Sequence, residues 1–281
     1  MLPIIKAQDL LPILKSENLI LVDARSGPSA HEKYKAGHLA GALYVDLDKD
    51  MADIKADAAD GGRHPLPEPK KFAVLLGCLG ITHGSHVVVY DDKGGANAAA
   101  RFWWMLRAAG HGQVQVLDGG YQAAVAAGIP VSSETDFPKQ VAPYPFKAWE
   151  LPTISMEEVA KAVNDPNYMV IDVRDAARYR GETEPIDLVA GHIPGAINIP
   201  FQTSLGSDGS FLPVDALRQK YLQALAGRDS EHVAVHCGSG VTACHTALAM
   251  DYAGLGIPKV YMGSWSEWSR NDRPIATGEG S

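Results

Sequence analysis

The chain repeats itself, and that limits its possible folds more than any other feature. Asp23-Ala24-Arg25, after an apolar run at 19–22, returns as Asp172-Val173-Arg174 after 168–171. Gly37-His38-Leu39-Ala40-Gly41-Ala42 returns as Gly191-His192-Ile193-Pro194-Gly195-Ala196. His86-Val87-Val88-Val89-Tyr90-Asp91 matches His232-Val233-Ala234-Val235-His236-Cys237, and Asp118-Gly119-Gly120-Tyr121 matches Met262-Gly263-Ser264-Trp265. Blocks kept in one order imply two homologous domains; two long copies are not the many short units of a solenoid. At 281 residues the chain has room for both. The expected division is a first domain at 1–135, a linker at 136–152 and a second domain at 153–281. The linker stretch carries Pro138, Pro143, Pro145 and Pro152. Its Tyr144, Phe146 and Trp149 should pack instead of floating free.

Within each half, short apolar runs alternate with helical patterns. The first half predicts helices at 8–15, 69–79, 97–109 and up to 127, with strands at 19–23, 87–91 and 114–117. The second predicts helices at 155–164, 214–224 and 265–268, strands at 168–172, 232–236 and 259–261, and a further helix after Cys237. Such alternation implies an α/β fold in each half, a mostly parallel sheet with helices on both faces. Functional groups then belong in loops at the carboxyl ends of strands.

Cys237 falls at such an end. Val233 and Val235 favour a buried strand, Gly238 and Gly240 a tight turn, and Thr242 is placed to cap the following helix. A cysteine there faces backbone N–H groups and a helix N-terminus, surroundings that suit a sulfur anion. The alternative is an inert buried thiol. The first copy has Asp91 in this place. Its domain is therefore expected to keep the fold without the nucleophile.

Composition narrows the functional classes. Hydrophobic residues make up 46% and charged residues 21%, the balance of a globular protein. A net charge of −8 gives no basic footprint for nucleic acid. Three cysteines without a CxxC pair make no disulfide framework and fit a reducing cytoplasm. No signal peptide or membrane span is expected from the N-terminal pattern.

Taken together, these motifs resemble the two-domain rhodanese sulfurtransferases over nearly the whole chain. The loop Cys237-Gly238-Ser239-Gly240-Val241-Thr242 is similar to that of the 3-mercaptopyruvate branch. The thiosulfate branch more often carries basic residues there. The resemblance implies tandem rhodanese-like domains and a ping-pong reaction needing no metal or organic cofactor. Cys237 takes a sulfur from a small-molecule donor as a persulfide, and a thiol, cyanide or thioredoxin-like acceptor removes it. It further implies that Arg178 holds the donor's carboxylate, with Arg180 a second candidate and Gly238, Gly240, Val241 and Thr242 lining the substrate. A surface role, or an ion pair with Glu182 or Glu184, is the alternative for the arginines. The family's usual second arginine, before the Gly191 block, is replaced by Ile186, which leaves one clamp and keeps thiosulfate open as donor. Family proposals of a Ser–His–Asp grouping map onto Ser239, His64 and Asp48; a loop histidine and a surface aspartate is the other reading. A monomer or weak dimer is expected.

Rival chemistries fit less well. A cysteine phosphatase needs arginine six positions after the nucleophile, and that position is Ala243. His232, His236, Cys237, Cys244 and His245 are crowded but match no zinc spacing, and Cys244 reads as helix core. A regulatory module without catalysis would have no need of the intact cysteine loop.

Overall fold

The computed structural model describes residues 1–279. The chain forms two compact units, neither continuous in sequence. The first gathers Met1–Ala52, Pro67–Glu150 and Ser207–Phe211; the second gathers Asp53–Leu66, Leu151–Gly206 and Leu212–Ser281.

The first unit is built on strands β1 (Ile4–Ile5), β2 (Leu19–Asp23), β3 (His38–Leu39), β4 (Leu43–Tyr44), β5 (His86–Tyr90), β6 (Val114–Leu117) and β7 (Val131–Ser132). Five form a parallel sheet in the order β1-β6-β5-β2-β4, while β3 and β7 pair antiparallel beside it. The runs Leu-Ile-Leu-Val and Val-Val-Val-Tyr suit central strands covered on both sides. The helix Ala98–Ala108 is buried at every residue but Arg107, so its sequence is apolar nearly all round. The stretch after 136 belongs largely to this unit. Val141 donates to the Gly77 carbonyl, Tyr144 to Ala73 and Glu150 to Ala108. The rings of Phe146 and Trp149 pack on Phe72.

The second unit repeats the plan with β8 (Met169–Asp172), β9 (Ile197–Asn198), β10 (Val233–His236) and β11 (Lys259–Val260). These form a parallel sheet in the order β11-β10-β8-β9. Both units are α/β, as the alternation implied. The helix Thr242–Tyr252 follows β10 and is buried from Ala243 to Met250, including Cys244. Ile154, Val159, Val170, Ala234, Trp265 and Trp268 form a core cluster of this unit.

The repeat extends to side-chain bonds. Arg25 grips both oxygens of Asp23 and donates to the Gly37 carbonyl at 2.8 Å. Arg174 does the same with Asp172 and, at 2.6 Å, Gly191. His38 and His192 each sit 2.8 Å from a tyrosine carbonyl, of Tyr34 and Tyr179. Each arginine lies over one ring, Tyr121 at 4.5 Å and Trp265 at 4.7 Å. These bonds tie down the end of the strand next to the one from which each unit's loop departs.

Candidate active site

β10 delivers Cys237 to the carboxyl edge of the sheet, where His236 pairs in register with Asp172. Cys237 is buried. The loop after it is held by its carbonyls: Trp265 N–H donates to Cys237 at 3.0 Å and Ser266 N–H to Gly238 at 2.9 Å. The Cys237 N–H donates to the Ser264 hydroxyl. Gly240 has φ +72°, and a Cβ there would lie 2.5 Å from the Met262 carbonyl oxygen, so no other residue fits without moving the turn. Thr242 corrects the sequence expectation. It is the first helical residue, the N-cap position belongs to Val241, and no side-chain cap bond is made. A glycine-shaped turn ends the strand and starts the helix without one.

The first unit shows what such a loop does. Asp91, the counterpart of Cys237, is buried, and its carboxylate accepts from the backbone N–H groups of Lys93, Gly95, Asn97 and Ala99 at 2.8–3.1 Å. Two of those donors belong to the helix start. The loop there encloses a carboxyl group supplied by the chain itself; burial pushes that group above the ordinary carboxylate range, and the four N–H groups oppose the shift.

In the second unit guanidinium groups stand over Gly238. A Cβ placed on it would be 2.9 Å from Arg63 Nη2, 3.5 Å from Arg178 Nη2 and 3.7 Å from Arg178 Nη1. Arg178 comes from the four-residue helix Ala176–Tyr179, capped by Asp175. It donates to Glu184 at 2.7 and 3.2 Å and to Asp187 at 3.4 Å. The ion pair weighed as an alternative therefore exists alongside the loop contact. Burial works to raise the Glu184 carboxyl, but the Arg178 hydrogen bond and the N–H groups of Asp187 and Ile186 outweigh it and hold it below its ordinary range. Arg63 was not singled out by sequence. It binds Asp187 through Nε at 3.1 Å and Nη2 at 3.4 Å, and Arg270 joins the same carboxylate at 2.9 Å. The only signal was its place in the long irregular stretch before Pro69, next to His64.

His64 and Ser239 are brought together, Nδ1 to Oγ at 2.7 Å. Asp48 lies in the first unit, in the short helix Leu47–Asp50, with its own N–H on the Asp46 carboxylate. Arg180 is directed to Glu182 at 2.6 Å and to Glu279. It lines a separate cavity with Tyr179, Gly195 and Asn198. Ile186 is 54% exposed, so the position carries no cation and buries little. His236 is buried beside Asp172, and burial lowers its tendency to take a proton.

The model of the family described as Rhodanese-like domain matches residues 6–127 and 155–271. The probable 3-mercaptopyruvate sulfurtransferase of Pseudomonas aeruginosa is 39% identical over 285 aligned residues, covering 98% of each chain. The thiosulfate sulfurtransferase of Gallus gallus is 36% identical, over 87% of this chain and 83% of that one. Among solved structures, SseA from Escherichia coli, described as a 3-mercaptopyruvate sulfotransferase, superimposes with a TM-score of 0.76 at 29% identity, over 95% of this chain and all of its own. The 3-mercaptopyruvate sulfurtransferase from Leishmania major gives 0.82 at 29% identity, over 94% of this chain and 74% of that one.

Proposed function

Since this chain belongs to the rhodanese family, carries the domain twice and is a sulfurtransferase, we propose that the sulfur travels on Cys237 as a persulfide and that 3-mercaptopyruvate donates it. One observation carries the reading. Cys237 stands, at the same strand end, where the first copy has an aspartate whose oxygens accept from the backbone N–H groups of the repeated loop. A persulfide anion is the corresponding tenant of the second loop.

The steps balance without a cofactor. The Cys237 thiolate attacks the donor sulfur, a sulfur–sulfur bond forms, and the carbon–sulfur bond breaks with its electron pair going to carbon. The enolate of pyruvate takes up the proton originally on the donor thiol and leaves as pyruvate. His64 and Ser239, in hydrogen-bond contact, are placed to pass that proton. Asp48 is the third member proposed from the family pattern. Arg178 orients the donor by its carboxylate, and Gly238, Gly240, Val241 and Thr242 form the wall around the sulfur. An acceptor thiolate or cyanide then attacks the outer sulfur and returns Cys237 to its starting state. A thioredoxin-like dithiol would serve as well.

Thiosulfate is the second reading. The loop itself has no basic side chain, yet Arg63 and Arg178 bring positive charge to it from outside, which suits an inorganic dianion too. A cytoplasmic setting fits the free cysteines Cys78, Cys237 and Cys244. Among the described residues no helix is long and apolar enough to cross a membrane.

The test is intact-mass spectrometry after incubation with 3-mercaptopyruvate. One added sulfur on wild type, released by a dithiol or cyanide and missing from Cys237→Ser, is the expected result. Sulfur transfer retained by Cys237→Ser would overturn the mechanism. A higher kcat/KM for thiosulfate than for 3-mercaptopyruvate would make thiosulfate the donor.

A further inference from the structure

We propose that Ser266 is a positioning residue of this site: it holds His64 at a fixed distance from the cysteine loop and so sets how well the departing enolate is protonated, an inference that rests on the reading of His64 and Ser239 as the proton path.

His64 needs support from outside its own segment. It lies in Asp53–Leu66, which belongs to the second unit and contains no helix or strand. Such a segment has no ladder to hold it, so its place is set by the partners its backbone groups find. Three of them come from 266–271. Asn271 donates to the Ala59 carbonyl at 3.0 Å, Glu267 accepts from the Gly61 N–H at 3.0 Å, and the Ser266 hydroxyl accepts from the Arg63 N–H at 3.0 Å. The tethers fall on alternate residues, and the one from Ser266 comes last, directly before His64.

Ser266 is also the member that reaches the sulfur loop. Its backbone N–H donates to the Gly238 carbonyl at 2.9 Å. Its hydroxyl donates to the Gly263 carbonyl at 2.9 Å, which leaves a lone pair for Arg63. With His64 Nδ1 2.7 Å from Ser239 Oγ, these contacts close a ring through 63–64, 238–239 and 266. A closed ring fixes a geometry that the bond between His64 and Ser239 alone would leave free to vary.

Packing leaves that ring no slack. Ser266 is fully buried, so its hydroxyl, not water, meets the Arg63 N–H. Gly62 has φ +81°, and a Cβ on it would lie 2.3 Å from the Gly263 carbonyl oxygen and 2.8 Å from Ser266 Oγ. The segment therefore runs against the helix Ser264–Trp268 at backbone distance.

Ser266→Ala deletes the hydroxyl and keeps the N–H that serves Gly238, so the cysteine loop retains its support. The test measures this variant with 3-mercaptopyruvate and with thiosulfate, alone and combined with His64→Gln. With 3-mercaptopyruvate, kcat should fall about tenfold and KM stay within about threefold. With thiosulfate, whose sulfite leaves without a proton at carbon, kcat should stay within about threefold. In the His64→Gln background the same substitution should cost no more than about twofold, because the group it positions is gone. An unchanged kcat with 3-mercaptopyruvate, equal losses on the two donors, or a loss of about tenfold that persists without the imidazole would overturn the assignment. Amide hydrogen exchange followed by NMR reads the tether without turnover. The Arg63 N–H should exchange about tenfold faster in Ser266→Ala, and unchanged protection would count against Ser266. If His64→Gln alone left kcat for 3-mercaptopyruvate intact, the proton-path reading would fail on its own, and the exchange rates would still decide whether Ser266 holds the segment.

Discussion

Nδ1 of His64 lies 2.7 Å from Oγ of Ser239, a residue 175 positions further along the chain. Ser239 is buried and sits two residues past Cys237, the proposed sulfur carrier. The pair is therefore in place to deliver a proton to a leaving group at Cys237. Only one of the two donors needs it, because an enolate must be protonated at carbon whereas sulfite leaves as a stable anion. His64→Gln should lower kcat with 3-mercaptopyruvate by about 100-fold. With thiosulfate the change should stay within about threefold. Steady-state kinetics on both donors checks this, and a matched loss on thiosulfate would reduce His64 to a structural support.

Asp91 is the first unit's internal acceptor for four backbone donors. Removing its carboxylate by Asp91→Ala leaves those N–H groups in a buried loop without their acceptor. A loss of about 3 kcal/mol in unfolding free energy is expected, measured by urea denaturation. The folded fraction should still acquire sulfur at Cys237. A stability change below about 0.5 kcal/mol would mean the carboxylate is not what holds that loop.

Glu184 joins Arg174 and Arg178 and is held below its ordinary value of 4.5. A carboxyl depressed by folding stabilises the native state at pH above its unfolded value and stops doing so as the pH falls through its folded value. Glu184→Gln should therefore be less stable than wild type at pH 7, by about 2 kcal/mol. The difference should shrink steadily once the pH drops below about 4.5. Denaturation curves across pH 3–7 test this. A gap that persists at the acid end would show that the ion pairs are not its source.

Much of the fold was legible because its signals are local. β2 and β6 begin and end where apolar run and flanking residues said they should. Cys237 was found by the same means, since a strand, a glycine turn and a helix follow one another within a dozen residues. Where local signals conflicted, the sequence was no guide. Arg178 lies in the short helix Ala176–Tyr179 and Arg180 caps its end two residues on, with Glu182 and Glu184 both near. Residues at that spacing point to different sides, so one arginine could face the loop and one could not. Only packing shows that it is Arg178.

What the sequence by itself determined was the doubled α/β plan, the strand end that bears the sulfur, and the exchange of Asp91 for Cys237. Each depends on spacings of a few residues, which backbone geometry translates directly into structure. What the tertiary structure decided was which distant groups meet there. Arg63 and His64 lie in a stretch without periodicity, and their places are set by hydrogen bonds to Ser266 and Ser239. Thr242 lost its expected capping role to the turn around Gly240, whose shape comes from its closeness to Met262. Contacts between residues so far apart in sequence depend on how whole elements pack, and no local pattern encodes that.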